Sequence, residues 1–422
     1  MKNKQTLGWA FYDWANSAFA TVIIAGFFPI FFKEYWADNL STSESTFQLG
    51  MANAIASLVI VVIAPLLGAI ADQRQQKKYF LILFATLGIS MTCALTLVAQ
   101  GAWVLAVAVY LLANIGFMGS NVFYDALIVD VAPPAKRDVV SAFGYALGYL
   151  GGGILFTLCV LTTLHPEIFG FDDASHAVRF SFILVGIWWA LFTIPLIFFV
   201  QESHNPSSRQ HSLSSGFAEL KKTFHEIRQL KDTFIFLLAY WFYIDGVDTI
   251  IRMAVDYGLS LGFDSNNLIL ALLITQFVGF PAALLFGKLG ERYGARLGIF
   301  IAITVYLGII LWAYNIENSN EFYALAFAIG LVQGGIQSLS RSLFSNLIPK
   351  NRSAQFFGFY NMCGKSAAIL GPFLMGWISV WTNDPRYSIL SIAFLFIIGA
   401  CLLYNVNVKR GSQLASDLEN KP

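Results

Sequence analysis

Charge is scarce in this chain of 422 residues: Asp, Glu, Lys and Arg make up 12% of it, against about 25% in soluble domains. That scarcity excludes an ordinary soluble fold. The net charge of +1 is too small to draw a polyanion, so no nucleic-acid partner is expected. The string GxxxxGK[ST], which cradles nucleotide phosphates, does not occur, and this argues against ATP-driven work by the chain. All five histidines (His165, His176, His204, His211 and His225) fall between the long apolar runs. A proton crossing the apolar interior must therefore ride on carboxylates. No nucleophile, base and orienter occur together as an enzyme would need. Cys93, Cys159, Cys363 and Cys401 lie inside apolar runs without CxxC spacing, so neither a disulfide nor a metal site is expected. No cofactor is implied beyond a coupling ion.

What abounds is apolar surface: 57% of residues are hydrophobic and 39 are Phe. Apolar runs of about 20 residues, the width of the hydrocarbon layer, recur from end to end. Twelve spans are expected, at 8–32, 48–71, 79–99, 102–131, 139–163, 179–200, 233–258, 268–289, 296–314, 321–346, 353–380 and 386–406. Backbone groups cannot stay unpaired in lipid, so these are helices. The first run is too long for a cleaved signal and lacks a small-residue cleavage site. Arg252, Arg341 and Lys365 lie within spans. Of the other 23 basic residues, only Lys33, Arg179 and Arg386 fall in loops on one side, and 20 lie on the side of the termini. The positive-inside rule then puts both termini in the cytoplasm.

Polar residues inside the spans form stripes. Asp245, Asp248, Arg252 and Asp256 are spaced by three, four and four, which stacks them on one helix face. Membrane charges face a cavity or a partner, so this face is expected to be wet. Asp248 and Arg252 could instead neutralise each other as a structural pair. Asp13 and Asn16 share a face of the first span; a helix-start cap facing water is the competing reading of Asp13. Asn114, Met118, Asn121 and Asp125 form a stripe in the fourth span. Gly144, Gly148 and Gly152 give the fifth a close-packing face. Residues 201–231 form the longest loop, where Phe217, Leu220, Phe224 and Ile227 with flanking basic residues suggest an amphipathic surface helix.

The second half echoes the first. Gly68-x-x-x-Asp72 matches Gly287-x-x-x-Glu291, each followed by basic residues, and Pro134…Arg137…Phe143-Gly144 matches Pro349…Arg352…Phe357-Gly358. A parallel repeat of six spans is a transporter signature, with the site near the midplane between the halves. These paired motifs resemble the major facilitator superfamily. WAFYDWANSAF at 9–19, FYDALIVDVAPPAKRDVVSAFGYALGYLGG at 123–152, YWFYIDGVDTII at 240–251 and GLVQGGIQSLSRSLFSNLIPKNRSAQFFGFYNMCGKSAAILGP at 330–372 narrow the likeness. They resemble the family of the autophagy-related vacuolar amino-acid effluxer and its bacterial relatives. Tyr293 stands where the first loop motif has Arg74, a departure that makes the two loops unequal.

The resemblance implies an all-α polytopic membrane protein of twelve transmembrane helices in two pseudo-symmetric six-helix bundles, the major facilitator fold. The bundles would be 1–200 and 232–406, with a linker at 201–231 and a cytoplasmic tail at 407–422. Spans one, four, seven and ten would line the cavity, and spans two, five, eight and eleven would join the halves. The candidate cavity residues are Asp13, Asn16, Tyr12, Asn114, Asn121, Asp245, Asp248, Arg252, Gln333, Gln337 and Lys365, with Asp125 and Asn361 beside them. Both charge signs and several aromatics (Tyr12, Trp14, Tyr124, Trp241, Tyr243) suit a zwitterion such as an amino acid. Another small organic solute or a drug would also suit. A receptor or scaffold that kept the fold without transport is the alternative of a different class. The expected setting is a bacterial inner membrane, with a small-molecule solute and lipid as partners and the chain a monomer.

Asp248 and Asp256 can reach Arg252 within their helix, whereas Asp245 and Asp13 have no local cation; those two are the candidate proton carriers, with sodium the competing ion. Asp72 and Arg74 are expected to latch the cytoplasmic side, with Glu291 in the matching loop; a solvated turn that only sets topology competes. Asp125 lies nine residues before Pro134, and Arg341 eight before Pro349. These near symmetry mates of opposite charge are expected to meet as a cytoplasmic gate. Pairing within each half, or Arg341 with lipid phosphate, is the competing reading.

Overall fold

A computed structural model describes residues 4–40, 42–202, 228–260, 265–367, 370–382 and 385–419. The chain crosses back and forth as α1 (Lys4–Trp36), α2 (Thr42–Arg74), α3 (Lys77–Ala94), α4 (Trp103–Ala126), α5 (Arg137–Leu164) and α6 (Ala174–Phe199). The second set is α7 (Lys231–Ser260), α8 (Ser265–Tyr293), α9 (Ala295–Tyr314), α10 (Ser319–Asn346), α11 (Ser353–Ala367, then Leu370–Thr382) and α12 (Pro385–Tyr404). Eleven of these are single described helices long and apolar enough to span a membrane. The remaining expected span, 353–380, is described as Ser353–Ala367 and Leu370–Thr382, with 368–369 outside the described residues. The linker helix expected around 217–228 lies almost wholly outside the described residues.

Local chemistry explains the departures from straight helices. α1 loosens to π-helical turns at Phe19–Phe27 and Phe32–Trp36, around Gly26 and Pro29, because proline removes a ladder donor. Asp173 caps α6, taking bonds from the Ser175 hydroxyl at 2.7 Å and the His176 amide at 3.0 Å. Those bonds pull its carboxyl down to about 2. The expected tail is helical over Val408–Glu419, here α13, and docks on the second set. Arg410 bonds both Asp232 oxygens, at 2.7 and 2.9 Å, while Gly411 and Ala415 are buried.

Helix pairing places the cavity. α5 packs on α1, and its glycines allow the approach: a methyl at Gly144 would lie 2.8 Å from the Asp13 carboxylate, and one at Gly152 would lie 2.7 Å from the Thr21 hydroxyl. Two seams join the sets, α2 against the first piece of α11 and α5 against α8. At the first seam a methyl on Gly358 would sit 2.6 Å from Pro65, and one on Gly68 would collide with the Ala354 carbonyl. Side chains are absent there because the backbones need the space.

Candidate functional site

Between the two sets lies a cavity of about 320 Å³. Among the residues expected on the cavity, it is lined by Asp13, Asn16, Asn121, Asp248, Gln333, Gln337 and Lys365, with Asn361. Asp125 and Arg341, expected as a gate, also reach its wall. Asn16 donates to Asn121 at 2.5 Å, tying α1 to α4. The wall also carries Tyr145, Tyr149, Tyr240, Tyr360 and Gln276. The sequence reading missed these. Tyr145 and Tyr149 each follow a glycine of the α5 packing face, so a finer look at the residues beside Gly144 and Gly148 would have found them.

Other expected cavity residues are elsewhere. Asp245 is fully buried and turned toward α11. Its carboxylate accepts from the Gly371 amide at 3.1 and 3.2 Å and from the Thr249 hydroxyl at 3.3 Å. Residues three apart are rotated by about 60° on a helix of 3.6 residues per turn, enough to send Asp248 to the cavity and Asp245 to a neighbour. Gly371 lies in the second described stretch of α11, Leu370–Thr382. The side chains of Arg252 and Asp256 lie outside the described residues. Tyr12 is buried against Tyr124, with ring centroids 5.2 Å apart, off the cavity wall. Asn114 is a packing residue: its amide and the Tyr110 hydroxyl both donate to Asn53, at 3.0 and 2.9 Å, pinning α4 to α2. Tyr243 is likewise buried, with its hydroxyl 2.7 Å from that of Ser340.

At the end of the cavity toward the termini, Arg341 reaches from α10 into the first set. Its Nη1 donates to Asp125 Oδ1 at 3.1 Å, and its Nη2 lies 3.5 Å from Asp13 Oδ2. Nε donates to the Ser141 hydroxyl and Nη2 to the Ser141 carbonyl, both at 2.9 Å. The guanidinium also lies over Tyr145, Trp9 and Tyr124, at 4.4, 4.8 and 5.2 Å from the ring centroids. Asp13 takes a further bond from the Tyr124 hydroxyl at 2.8 Å. Asp125 takes one from Asn361 at 3.1 Å. The expected pair of Asp125 and Arg341 is thus together. Asp13 joins it: with no cation nearby in sequence, it meets one from the other half. Arg341 is only 2% exposed, so lipid phosphate is not its partner.

Toward the outer rim, Asp72 accepts from the amides of Ala354 and Gln355 at 3.1 and 2.8 Å. A carboxylate from α2 therefore caps the start of α11 across the seam, where free amides and the helix dipole favour negative charge. Arg74 does not take part; it is exposed. The nearby cation is Lys77, 3.9 Å from Asp72 and 2.9 Å from Asp130. Glu202, past the end of α6, accepts from the amides of Lys77 and Lys78 at 2.8 Å each. Burial pushes its carboxyl up, and those amides pull it back. The matching loop is weaker: Glu291 meets Lys136 at 2.7 Å, both well exposed. Arg137, unassigned from sequence beyond its place in a repeat motif, donates to the Ser345 carbonyl at 2.6 Å and to Asn346 at 3.0 Å. Asp138 accepts from Ser342. The side that carries the termini is therefore closed by bonds between the two sets.

A family model described as "Vacuole effluxer Atg22 like" matches residues 40–134 and 129–416. The chain belongs to this family. It is 38% identical over 421 residues to the uncharacterized MFS-type transporter YxiO of Bacillus subtilis (strain 168), covering 99% of this chain and 98% of that one. Autophagy-related protein 22 of Eremothecium gossypii is 27% identical over 426 residues, covering 92% and 82%. Among solved structures, the human organic anion transporter MFSD10 superposes with a TM-score of 0.74 at 12% identity, covering 95% of this chain and 99% of that one. The proton:xylose symporter XylE superposes at 0.70 and 14%, covering 99% and 98%. This Atg22-family chain has the major facilitator fold, is an integral membrane protein of a transporter family and is not an enzyme.

Proposed function

We propose that the protein is a proton-coupled secondary transporter that carries a small zwitterion, an amino acid or a close analogue, by alternating access. One observation supports this most. Asp13, Asp125 and Asp248 share a cavity of about 320 Å³ with Arg341, Lys365 and five tyrosines, and bonds between the two helix sets seal one end of it. A pocket of that size fits a small solute, and opposite charges on its wall suit both ends of a zwitterion. The family's description as effluxers agrees with solute movement. In this reading, residues 1–200 and 232–406 are the moving bundles, and both termini face the cytoplasm of a bacterial inner membrane. The chain works as a monomer.

The solute enters from the side away from the termini while Arg341 and Asp72 hold the cytoplasmic side shut. Opening inward requires the Arg341 bonds to Asp125, Asp13 and Ser141 to break. Asp13 is the coupling carboxylate. It faces the cavity and shares Arg341 with Asp125, so a proton on it weakens the attraction across the seam. Asp245, the other candidate carrier, is held by the Gly371 amide and the Thr249 hydroxyl. Purified protein in liposomes should take up amino acids when a pH gradient is imposed. Uptake that follows a sodium gradient and ignores pH would replace the proton. No uptake of any amino acid by folded protein would refute the reading.

A further inference from the structure

The surroundings of Arg341 are lopsided in origin. Trp9 and Asp13 come from α1, Tyr124 and Asp125 from α4, and Ser141 and Tyr145 from α5, all in the first set. Only the cation comes from the second set. Lys365, the other described cation on the cavity wall, is also in the second set. The first set thus presents two carboxylates and three aromatic faces to one point, with no cation of its own beside them among the described residues.

This box is built. Trp9 and Tyr124 stack at 4.5 Å between centroids, and the Trp9 indole donates to the Tyr124 carbonyl at 2.9 Å. The Tyr124 hydroxyl orients Asp13 at 2.8 Å. Gly144 forms the back wall, where a methyl would lie 2.8 Å from both the Asp13 carboxylate and the Tyr124 hydroxyl. Aromatic faces and carboxylates together select a desolvated organic cation. When the two sets part, Arg341 leaves and two carboxylates remain side by side on the cavity wall without a cation. Neighbouring like charges disfavour each other, so a replacement cation is favoured there.

We propose that this box is the binding site for the ammonium or guanidinium group of the solute, and that Arg341 fills it as an internal stand-in while the terminus-bearing side is closed. The proposal rests on the transporter reading and extends it. Solute cation and Arg341 compete for one site, so loading the solute releases the contact that holds the two sets together. The geometry supports this because Asp13, Tyr124, Asp125 and Tyr145 all line the cavity. A solute in the cavity therefore reaches the box without crossing a further barrier.

The test uses Arg341→Ala and Arg341→Gln in detergent, with methylguanidinium and methylammonium as probes at constant ionic strength. Thermal melting of either variant should rise saturably with probe, whereas the wild type, whose box Arg341 occupies, should respond only at far higher probe concentration. Adding Asp13→Asn or Asp125→Asn should weaken probe binding by roughly 30-fold, as expected when a desolvated cation loses a charged partner. The glutamine variant keeps side-chain volume if the alanine variant does not fold. A monodisperse Arg341→Gln protein without saturable probe binding would overturn the proposal, as would binding indifferent to both carboxylates. Amino-acid exchange by the wild type is measured on the same preparation. Failed probe binding with exchange intact would remove the box and leave the transporter reading standing.

Discussion

Replacing Arg341 with Gln removes the cation that two buried carboxylates, Asp13 and Asp125, share across the seam. It also removes two bonds to Ser141. Breaking a buried ion pair by deleting one partner costs about 3–5 kcal/mol. In the open state both carboxylates face a wet cavity, so most of that cost falls on the closed state alone. The equilibrium should therefore move toward opening by about a hundredfold to a few thousandfold. A shift of that size turns a mostly closed population into a mixed or mostly open one. The assay is the distance between spin labels at Gln76 and Tyr293, exposed positions on opposite sets, after replacement of the native cysteines. Arg341→Gln should replace the short distance with a longer one. Asp125→Asn should do so less, because Asp13 still holds Arg341. Asp125→Arg with Arg341→Asp should recover part of the short population that each single swap loses. Distances unchanged in every variant would refute the reasoning, since the network would then carry no bias between states.

Asp72→Ala should also lengthen that distance, by loss of a cross-seam cap worth about 1–2 kcal/mol, whereas the exposed Arg74→Ala should leave it unchanged; an equal effect of both would return the loop to a topological role. Gly68→Val should lower the melting temperature and the closed population together, because its side chain meets the Ala354 carbonyl and overpacking costs about 1–3 kcal/mol. Asp13→Asn should abolish pH-gradient-driven uptake while solute exchange persists at raised solute concentration. Asp245→Asn should instead lower the melting temperature, since an amide is a poorer acceptor for the Gly371 amide; loss of pH coupling in Asp245→Asn alone would reverse the two assignments.

The fold was legible because lipid leaves few options: apolar length and basic loops led to twelve crossings, and the family resemblance carried by the paired motifs implied the two seams that α2, α5, α8 and α11 form. The pairing of Asp125 with Arg341 was legible from the repeat, because both sit at matching distances from Pro134 and Pro349. Helical spacing failed at Asp245. A rotation of about 60° from Asp248 sufficed to carry it to a neighbour, and nothing in the sequence announced that the Gly371 amide of α11 would meet it there. The partner of Asp13 was hidden for a related reason. Its cation lies 328 positions away, beyond any local pattern. Asn114 was read as a cavity residue because a stripe shows a shared face without showing which neighbour covers it; Asn53 does. Tyr145 and Tyr149 were hidden behind the glycines that drew attention to packing.

The most direct test of alternating access across these seams is solute exchange with the terminus-bearing side locked. Lys136 and Glu291 meet there from opposite sets at 2.7 Å. Cysteines at both positions, in a background without native cysteines, can be joined by a short, reducible thiol cross-linker. Liposomes carrying this variant should exchange labelled amino acids before cross-linking, lose exchange when linked and regain it on reduction. Exchange that continues undiminished in the fully linked protein would contradict the account.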